Sequence, residues 1–295
     1  QDVVVTEALY EKELAKHYPE AAIALEHKAQ WLMTKQEQNG FPFDIEGAKE
    51  LEKTLRDRVD TVSSEIKNLA PSIPGKVFIP KRDNKRLGYK AGVPIQRYKE
   101  FNPGSRQQIE WVIRQHYGYS PSNEDLYAED ERLKIDETTF HFIAKDKEAP
   151  EEVRALAPLF EEQLMLTKRL GQLADGTQAW LKCVKEDGKI HGRVNPNGTV
   201  SGRATHSQPN VTQVPHNSSP YGKECRSLFG VPKGWVQAGM DACGLELRCL
   251  SHFLYPYDNG AYAHEVVHGD IHTANQKAAG LPTRDQAKTF VYAFL

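Results

Sequence analysis

Three side chains near the carboxyl end of the sequence have the types and spacing to bind a polyphosphate. Arg284, Lys288 and Tyr292 stand at positions i, i+4 and i+8, and residues at these steps lie along one face of a helix. Two cations and an aromatic ring on one face suit a nucleoside triphosphate, with the phosphates on the cations and the sugar or base on the ring. The spacing by itself fits a solvated helix face with an incidental tyrosine better.

A second pattern is typical of zinc sites. His264, Glu265 and His268 form H-E-x-x-H, in which two histidines one helical turn apart bind zinc and the glutamate acts as a base. The turn at 258–260 and Gly269-Asp270 leave room for only a short helix, and no further ligand stands at the metalloprotease spacing. We therefore expect a chance match with exposed histidines and no zinc, which makes a zinc metalloprotease the most distant functional alternative.

Asp241 is the candidate for binding a hard metal ion. The residues from Trp235 to Asp241 are predicted to form a buried strand that ends in this carboxylate, and a helix is predicted over 245–253. Carboxylate oxygens are the ligands that Mg²⁺ prefers in proteins. An aspartate at the end of a strand can also cap the next helix, so the residues alone leave both roles open.

The elements that must position these side chains are mainly helices in the first half of the chain. Asp44 can cap a helix whose apolar residues recur at steps of three and four over 45–69. Further helices are predicted over 22–38 and over 151–173, the latter with a kink at Pro158.

The second half of the chain adds strands to the helices. Asn195-Pro196-Asn197-Gly198 predicts a tight turn between two short strands within 188–214, and another helix is predicted over 284–295. A helical first half followed by a mixture of strands and helices predicts an α+β fold.

Composition bounds the class of protein. Hydrophobic residues make up 39% and charged residues 26% of the 295 residues, which is ordinary for a folded chain. The net charge of −2 argues against an evenly basic nucleic-acid binder. Four cysteines without a C-x-x-C pair exclude a disulfide framework or a metal ribbon and favour a reducing cytoplasm.

Local charge is uneven, however. The segment 70–101 contains eight basic residues against two acidic ones, and its prolines and glycines exclude a regular helix. Any affinity for nucleic acid must therefore come from local charge rather than from the chain as a whole.

Four segments in order resemble motifs of family A DNA polymerases, the DNA polymerase I class. The run D-A-C-G-L-E-L-R from Asp241 resembles the first palm motif, and R-D-Q-A-K-T-F-V-Y from Arg284 resembles the nucleotide-binding finger helix. G-D-I-H from Gly269 lies between them, and Ser201-Gly202-Arg203 resembles the family's T-G-R segment with serine in place of threonine. Runs such as V-N-P-N-G and S-P-Y-G-K-E-C-R are most similar to the replicative polymerases of short-tailed bacteriophages.

The resemblance implies template-directed DNA synthesis, in which a deoxynucleotide is transferred to a primer 3′ end by phosphoryl transfer with two Mg²⁺ ions. Asp241 would be one of the two palm aspartates that hold these ions, and the backbone carbonyl of Ala242 would add a ligand. On this interpretation the chain is part of a DNA-directed DNA polymerase.

The same resemblance assigns the nucleotide-binding residues. His272, Arg284 and Lys288 would hold the triphosphate and offset charge as pyrophosphate leaves, and Lys288 could also protonate it as a general acid. Tyr292 would stack on the incoming sugar and base. Glu246 would crowd the 2′ carbon of the sugar and exclude ribonucleotides, with a structural salt bridge as the alternative.

Contacts with primer-template DNA are implied at several positions. Arg203 would reach the minor groove at the primer end, where every base pair offers an acceptor. The further positions are Gln213, Arg226, Ser105, Arg106, Lys168 and Arg169. Ser105 serves equally well as a helix cap, and Lys168 and Arg169 as exposed helix charges.

The resemblance also divides the chain along the plan of a right-hand polymerase. Residues 1–20 would be the end of a 3′–5′ exonuclease-like domain, and 21–190 a helical thumb. Residues 191–260 would be the first half of the palm with a partial antiparallel sheet, and 261–295 the first finger helices. The family's second palm aspartate has no counterpart in this sequence, so we expect the chain alone to be inactive. Either the chain is a truncated portion of such an enzyme, or a second polypeptide would supply the rest; a non-catalytic DNA-binding fragment of a split polymerase is the alternative.

The basic segment 70–101 would lie at the tip of the thumb. The phage relatives carry a much longer insertion there that binds host thioredoxin, so a thioredoxin-type processivity factor is doubtful for this chain. We expect this segment to contact duplex phosphate directly, with a solvated connector as the alternative. Its central cations are Lys81, Arg82, Lys85 and Arg86. A phage origin would place the protein in the host cytoplasm, with no membrane partner.

Overall fold

The structure, a computed structural model, describes residues 2–14 and 19–294. They belong to two compact units, Gln1–Trp235 and Val236–Leu295. Gln1, residues 15–18 and Leu295, which belong to the predicted exonuclease-like and finger segments, lie outside the described residues. Among the helices in the described ranges, none has both the length and the apolar character needed to cross a bilayer.

Helices dominate the first unit. In chain order they are α1 (Asp2–Leu14), α2 (Glu20–Asn39), α3 (Ile45–Leu69), α4 (Arg106–Trp111), α5 (Glu137–Lys145), α6 (Glu151–Leu170), α7 (Trp180–Cys183) and α8 (Gly222–Ser227). Wide π turns over Val112–His116 and Gly171–Asp175 continue α4 and α6. The helices predicted over 22–38, 45–69 and 151–173 are therefore confirmed, with α6 changing to a π turn after Leu170.

The strands form three two-stranded antiparallel sheets in the described part of the chain. They are β1 (Phe41–Pro42) with β4 (Lys189–Ile190), β2 (Ile73–Phe78) with β3 (Ile95–Lys99), and β5 (Arg193–Asn195) with β6 (Thr205–Ser207). The mixture of helices and small antiparallel sheets confirms the predicted α+β class.

Helix α3 begins and faces the core as its sequence predicts. The Asp44 carboxylate accepts a hydrogen bond from the backbone N–H of Gly47 at 3.0 Å, which satisfies one of the free donors of the first turn. The apolar stripe then buries one face of the helix, including Leu55 and Ile66. This face packs against α6, so the two longest buried helices of the first unit are joined by their apolar stripes.

The centre of this core is aromatic. Phe160 of α6 is fully buried, and its ring centroid lies 5.9 Å from that of Phe101 and 6.0 Å from that of Phe140 in α5. Tilted aromatic pairs at such distances add to the free energy gained from burial. Phe160 therefore ties α5, α6 and the end of the basic segment to one core.

The hairpin predicted within 188–214 is present, and so is its predicted turn at 196–197, but this turn is only the first part of the connection between the two strands. Asn195 pairs with Thr205, so the connection is a longer loop that reverses at Thr199–Arg203, where Gly202 adopts a φ of +74°. Gly198 has another use, because a Cβ there would collide with the hydroxyl oxygen of Thr205. Gly198 therefore follows the predicted turn and also permits a close approach of the two arms of the hairpin.

The second unit consists of four described helices, α9 (Leu245–Asp258), α10 (Ala261–His268), α11 (Ile271–Ala279) and α12 (Arg284–Phe294). Leu247, Ile271 and Val291 form its small buried core. The buried strand predicted over 235–241 is wrong: Trp235 and Val236 are 73% and 89% exposed, and the segment has no regular secondary structure and no strand partner in the described residues. An apolar run of strand-like residues becomes a strand only where a neighbouring strand satisfies its backbone groups.

Replacing Phe160 with alanine tests the aromatic core. The change removes a fully buried ring and leaves a cavity, so the free energy of unfolding should fall by about 3–5 kcal/mol. Urea unfolding followed by circular dichroism measures it. Leu87→Ala is the matched control because Leu87 is 59% exposed, and its effect should stay within about 0.5 kcal/mol. Equal effects of the two changes would contradict this account of the core.

Candidate functional site

The predicted polyphosphate-binding face lies along α12. Arg284, Lys288 and Tyr292 are exposed, whereas Ala287 and Val291 are buried against the rest of the second unit. The buried pair is also separated by four positions and fixes which side of the helix faces inward. The two cations and the tyrosine therefore stay accessible along one edge of a helix whose rotation is set by packing.

Asp270 binds Arg284, a contact that the spacing of residues in the sequence does not predict. Arg284 Nε lies 3.0 Å and 3.3 Å from the two carboxylate oxygens of Asp270, and Arg284 Nη2 donates to Oδ1 at 3.1 Å. Hydrogen bonds from Arg284, and then from Thr273, hold the pKa of the Asp270 carboxyl well below its usual range. Asp270 precedes α11 and Arg284 begins α12, so this ion pair joins the starts of the two helices.

His272 is brought to the same edge. Its ring centroid lies 6.3 Å from that of Tyr292, and its Nδ1 is buried with no hydrogen-bond partner in the described part of the chain. Burial lowers the pKa of His272, the positive charges of Arg284 and Lys288 lower it further, and Asp270 opposes them. The imidazole is therefore held neutral near pH 7, able to donate from one nitrogen to an anion.

Asp241 lies in the extended segment before α9. Its side chain is exposed and makes no hydrogen bond or ion pair among the described residues. The residue that caps α9 is Gly244, with a φ of +60°, so the alternative of Asp241 as a helix cap is wrong. Arg248 Nε donates to the Cys243 carbonyl at 2.8 Å and braces this turn.

The group around Asp241 has the oxygen donors that a hard cation requires. Ala242 follows Asp241 in the same exposed stretch, and Glu246 is exposed in the first turn of α9. A carboxylate and a backbone carbonyl that face solvent fit Mg²⁺, which retains several waters when it binds. Glu246 is not without a partner in the described chain, and its predicted role at the sugar stays a prediction.

The H-E-V-V-H segment forms α10 but does not converge on one point. The ring centroids of His264 and His268 lie 4.8 Å apart on the exposed side. The Glu265 carboxylate folds over the backbone of Gly269, so closely that a Cβ at Gly269 would collide with it. In the described residues, the group of three metal-type ligands that does converge lies elsewhere, at Glu137, His141 and Glu161 on the surface of the first unit.

Two cations of the first unit line an open groove of about 720 Å³. Arg106 at the start of α4 and Lys168 near the end of α6 are exposed there, beside the hydroxyl groups of Ser218 and Ser219. Ser105 does cap α4, since its hydroxyl accepts from the backbone N–H of Gln108 at 3.4 Å. Arg169 lines the same groove, and so do Asp136, Glu137 and Glu161, so the groove presents charges of both signs.

Arg169 differs from its neighbour Lys168. It is only 8% exposed, and its guanidinium donates to the Pro220 carbonyl at 3.2 Å and to Gln172 at 3.1 Å. The expectation of an exposed helix charge is therefore wrong for Arg169, because a backbone carbonyl that is distant in sequence draws this side chain inward. Arg169 holds one wall of the groove.

The remaining predicted DNA contacts are exposed in the first unit. Arg203 follows Gly202 in the reversal of the β5–β6 loop, where its backbone is fixed by Thr199. Gln213 ends a short 3₁₀ turn, and Arg226 Nε donates to the Pro215 carbonyl at 2.8 Å. These side chains reach solvent from a loop, a 3₁₀ turn and helix α8 respectively.

Strands β2 and β3 with the connection between them form what we call the basic hairpin, residues 73–99. Its four central cations, Lys81, Arg82, Lys85 and Arg86, are exposed and form no ion pair in the described chain. The one acidic side chain in the connection, Asp83, accepts a hydrogen bond from the Ala91 N–H at 2.7 Å. Nearer the core, Arg97 stacks on Phe78 with its guanidinium carbon 4.2 Å from the ring centroid, which stiffens the ribbon.

The sequence and the fold both match known proteins. Residues 86–295 match the model of DNA polymerase family A. The chain is 42% identical over 366 aligned positions to the DNA-directed DNA polymerase of Escherichia phage T7 and 41% identical to that of Enterobacteria phage T3. Each alignment covers 100% of this chain and 51% of the relative, so the chain spans about half the length of the curated relatives it matches.

The fold is similar to a solved structure described as the POL domain of Pol1 from M. smegmatis in complex with DNA primer-template and dNTP. The TM-score is 0.60 at 17% identity, over 92% of this chain and 41% of that chain. At this identity the likeness supports the fold.

Titration of His272 tests the electrostatics of the α12 edge. Its pKa, followed by NMR of the imidazole, should lie below the ordinary value of about 6.5, and Lys288→Met should raise it by removing a nearby positive charge. Lys277→Met on α11 is the matched control and should not change it. Because the folded-state pKa is lowered, His272 contributes stability above about pH 6.5 that is lost as the pH falls through the folded-state pKa. A pKa above 6.5 would contradict this geometry.

Proposed function

The chain belongs to DNA polymerase family A, and on this premise we propose that it is the part of a DNA-directed DNA polymerase that binds primer-template and the incoming dNTP and supplies one metal-binding carboxylate. The observation that supports this most strongly is the edge of α12. There Arg284, Lys288 and Tyr292 are exposed in line, with His272 beside them. Two cations, a neutral imidazole and an aromatic ring match a nucleoside triphosphate in charge and in shape.

The triphosphate would lie on Arg284, Lys288 and His272, and Tyr292 would stack on the sugar and base. These donors offset the negative charge that builds on the leaving pyrophosphate, and they do so without reorganising at the moment of reaction. Lys288, exposed and free of a hydrogen-bonded partner among the described residues, is the group that would deliver a proton to pyrophosphate. Glu246 would exclude a ribose 2′-hydroxyl once its present contact is released.

Asp241 and the Ala242 carbonyl would hold Mg²⁺. Bound there as one of two ions, Mg²⁺ would supply Lewis-acid stabilisation of the attacking and leaving oxygens, while Asp241 and Ala242 would fix its position. The exposed position of both groups leaves room for the primer end and for a further carboxylate, which we propose comes from a second polypeptide that carries the remaining palm and fingers. A DNA-binding fragment without catalysis is the alternative, and primer extension separates the two.

Primer-template DNA would lie on the first unit, which we propose includes the thumb. Arg203 would contact the minor groove, and Arg106 and Lys168 would contact backbone phosphates from the groove that they line. Gln213 and Arg226 would add contacts from the adjoining loops. We propose supporting roles for Ser105, as a cap, and for Arg169, as a buried brace.

The basic hairpin would contact duplex phosphates away from these loops. Its exposed cations have no acidic partners in the described chain, so binding DNA would replace no existing ion pair. The alignment with the phage T7 relative runs to 366 positions against 295 residues here, so segments of that polymerase have no counterpart in this chain. A direct contact with DNA, rather than a thioredoxin-type factor, is therefore the role we propose.

Primer extension tests the catalytic proposal. The chain alone should bind primer-template but not extend it. Adding a polypeptide that supplies the rest of the palm and fingers should give Mg²⁺-dependent synthesis. Asp241→Ala should then lower the rate by at least roughly a hundredfold, whereas Asp57→Ala, the same chemical change at an exposed site on α3, should not. Extension by residues 1–295 alone would show that the second carboxylate is already present, and DNA binding without synthesis in any mixture would favour the non-catalytic alternative.

The salt dependence of duplex binding tests the basic hairpin. Changing Lys81, Arg82, Lys85 and Arg86 to glutamine should weaken binding of any sequence and flatten the log–log salt slope by roughly one for each phosphate that the hairpin no longer touches. Fluorescence anisotropy at several salt concentrations measures both quantities. Glutamine at Lys49 and Lys53, exposed on α3, is the control. An unchanged salt slope would show that the basic hairpin is only a connector and does not contact DNA phosphates.

A further inference from the structure

We propose that Asp270 is a positioning residue that orients the Arg284 guanidinium for the triphosphate, an inference that rests on the proposed nucleotide site. Asp270 makes two kinds of contact with one carboxylate. It pairs with Arg284 through three hydrogen-bond distances of 3.0–3.3 Å. It also caps α11 by accepting from the backbone N–H of Thr273 at 3.4 Å, and it accepts from the Thr273 hydroxyl at 2.8 Å.

Asp270 can orient Arg284 without using all of the hydrogen-bond donors of its guanidinium. A guanidinium has five N–H donors in a rigid plane, and the contacts with Asp270 involve Nε and Nη2. The Nη1 edge makes no hydrogen bond in the described structure. Because the plane is fixed on one side by Asp270, the opposite edge of the fork is held in one direction, where a phosphate can accept from it.

The second contact explains why Asp270 can act as a fixed point. The start of α11 places Ile271 in the small core of the second unit and His272 beside Tyr292. The cap at Thr273 holds the carboxylate against this helix. Arg284 is therefore held in place relative to the helix that carries His272. The distance between these two groups, both proposed to bind the triphosphate, is thus fixed although they belong to different helices.

Asp270 has two opposing effects on the affinity for the triphosphate: its negative charge repels the phosphates, and its hydrogen bonds orient Arg284 towards them. Arg284 and Asp270 each expose about half of their side chains, and water and salt screen a charge in such a position. Water and salt do not weaken the orientation of the guanidinium. Misplacing a binding group by an ångström can lower the reaction rate by up to about a hundredfold. The loss of orientation should therefore exceed the gain from removing a negative charge.

Asp270→Asn is the informative variant because asparagine caps a helix as well as aspartate does but cannot form the charged pair. Single-turnover incorporation of dATP by the completed polymerase on a primer-template gives the dNTP Kd and the maximal rate separately. We expect the Kd to rise roughly tenfold and the maximal rate to fall as well, because Arg284 would bind the triphosphate and would also offset the charge that builds as pyrophosphate leaves. Thr273→Ala, which removes the hydroxyl contact with Asp270 and leaves the backbone cap and the ion pair, is the matched control and should change neither.

Arg284→Lys separates this inference from the proposed function. Lysine has no fork to orient, so adding Asp270→Asn to Arg284→Lys should cause no further loss. If Arg284→Lys leaves the Kd unchanged, the assignment of Arg284 to the triphosphate is wrong. If Arg284→Lys weakens binding but Asp270→Asn does not, or if the two losses add, the positioning role of Asp270 is overturned.

The 295-residue chain gives a second measurement without catalysis. The ¹⁵N NMR signal of Arg284 Nε–H should be protected from exchange in the unaltered chain and lose that protection in Asp270→Asn, while Thr273→Ala retains it. Equal exchange in all three proteins would also overturn the proposal, and circular dichroism shows whether α11 remains folded.

Discussion

The packing of Phe160 between Phe101 and Phe140 is the contact on which most of the first unit depends. Phe160 belongs to α6, which packs along α3 and α5 and carries Lys168 and Arg169 at its far end. Phe101 follows shortly after β3, so the same cluster also anchors one end of the basic hairpin. This aromatic cluster therefore anchors both the end of α6 that carries Lys168 and Arg169 and the cations of the basic hairpin.

The second unit depends on a smaller core and relies more on polar contacts. Leu247, Ile271 and Val291 bury α9, α11 and α12 against one another, and the Asp270–Arg284 pair joins the starts of the last two helices. Arginine has opposite uses in the two units. Arg169 is buried and donates to a backbone carbonyl and a glutamine, whereas Arg284 keeps one edge open, so the contacts that a guanidinium already makes distinguish a brace from a ligand.

Local rules predicted the elements that depend only on local sequence. The cap at Asp44 and the apolar steps after it define α3 to the residue, and the spacing of Arg284, Lys288 and Tyr292 identified an exposed helix edge. The failures involve partners distant in sequence. The run 235–241 has the composition of a strand but lacks a neighbour in the described residues, Arg169 is drawn inward by Pro220, and the partner of Arg284 lies fourteen positions earlier, across a helix. Periodicity carries no information about such contacts.

The basic hairpin enters and leaves the core at two buried residues, Ile73 and Phe101, which are 5% and 3% exposed. Most of the residues between them project outward, and few of their side chains contribute to the interior. The entropic contribution to the free energy of closing a loop rises slowly with loop length, by only about 0.6 kcal/mol for each doubling. A longer or shorter chain between these two anchors would thus cost little in closure entropy and would leave the core beneath it unchanged.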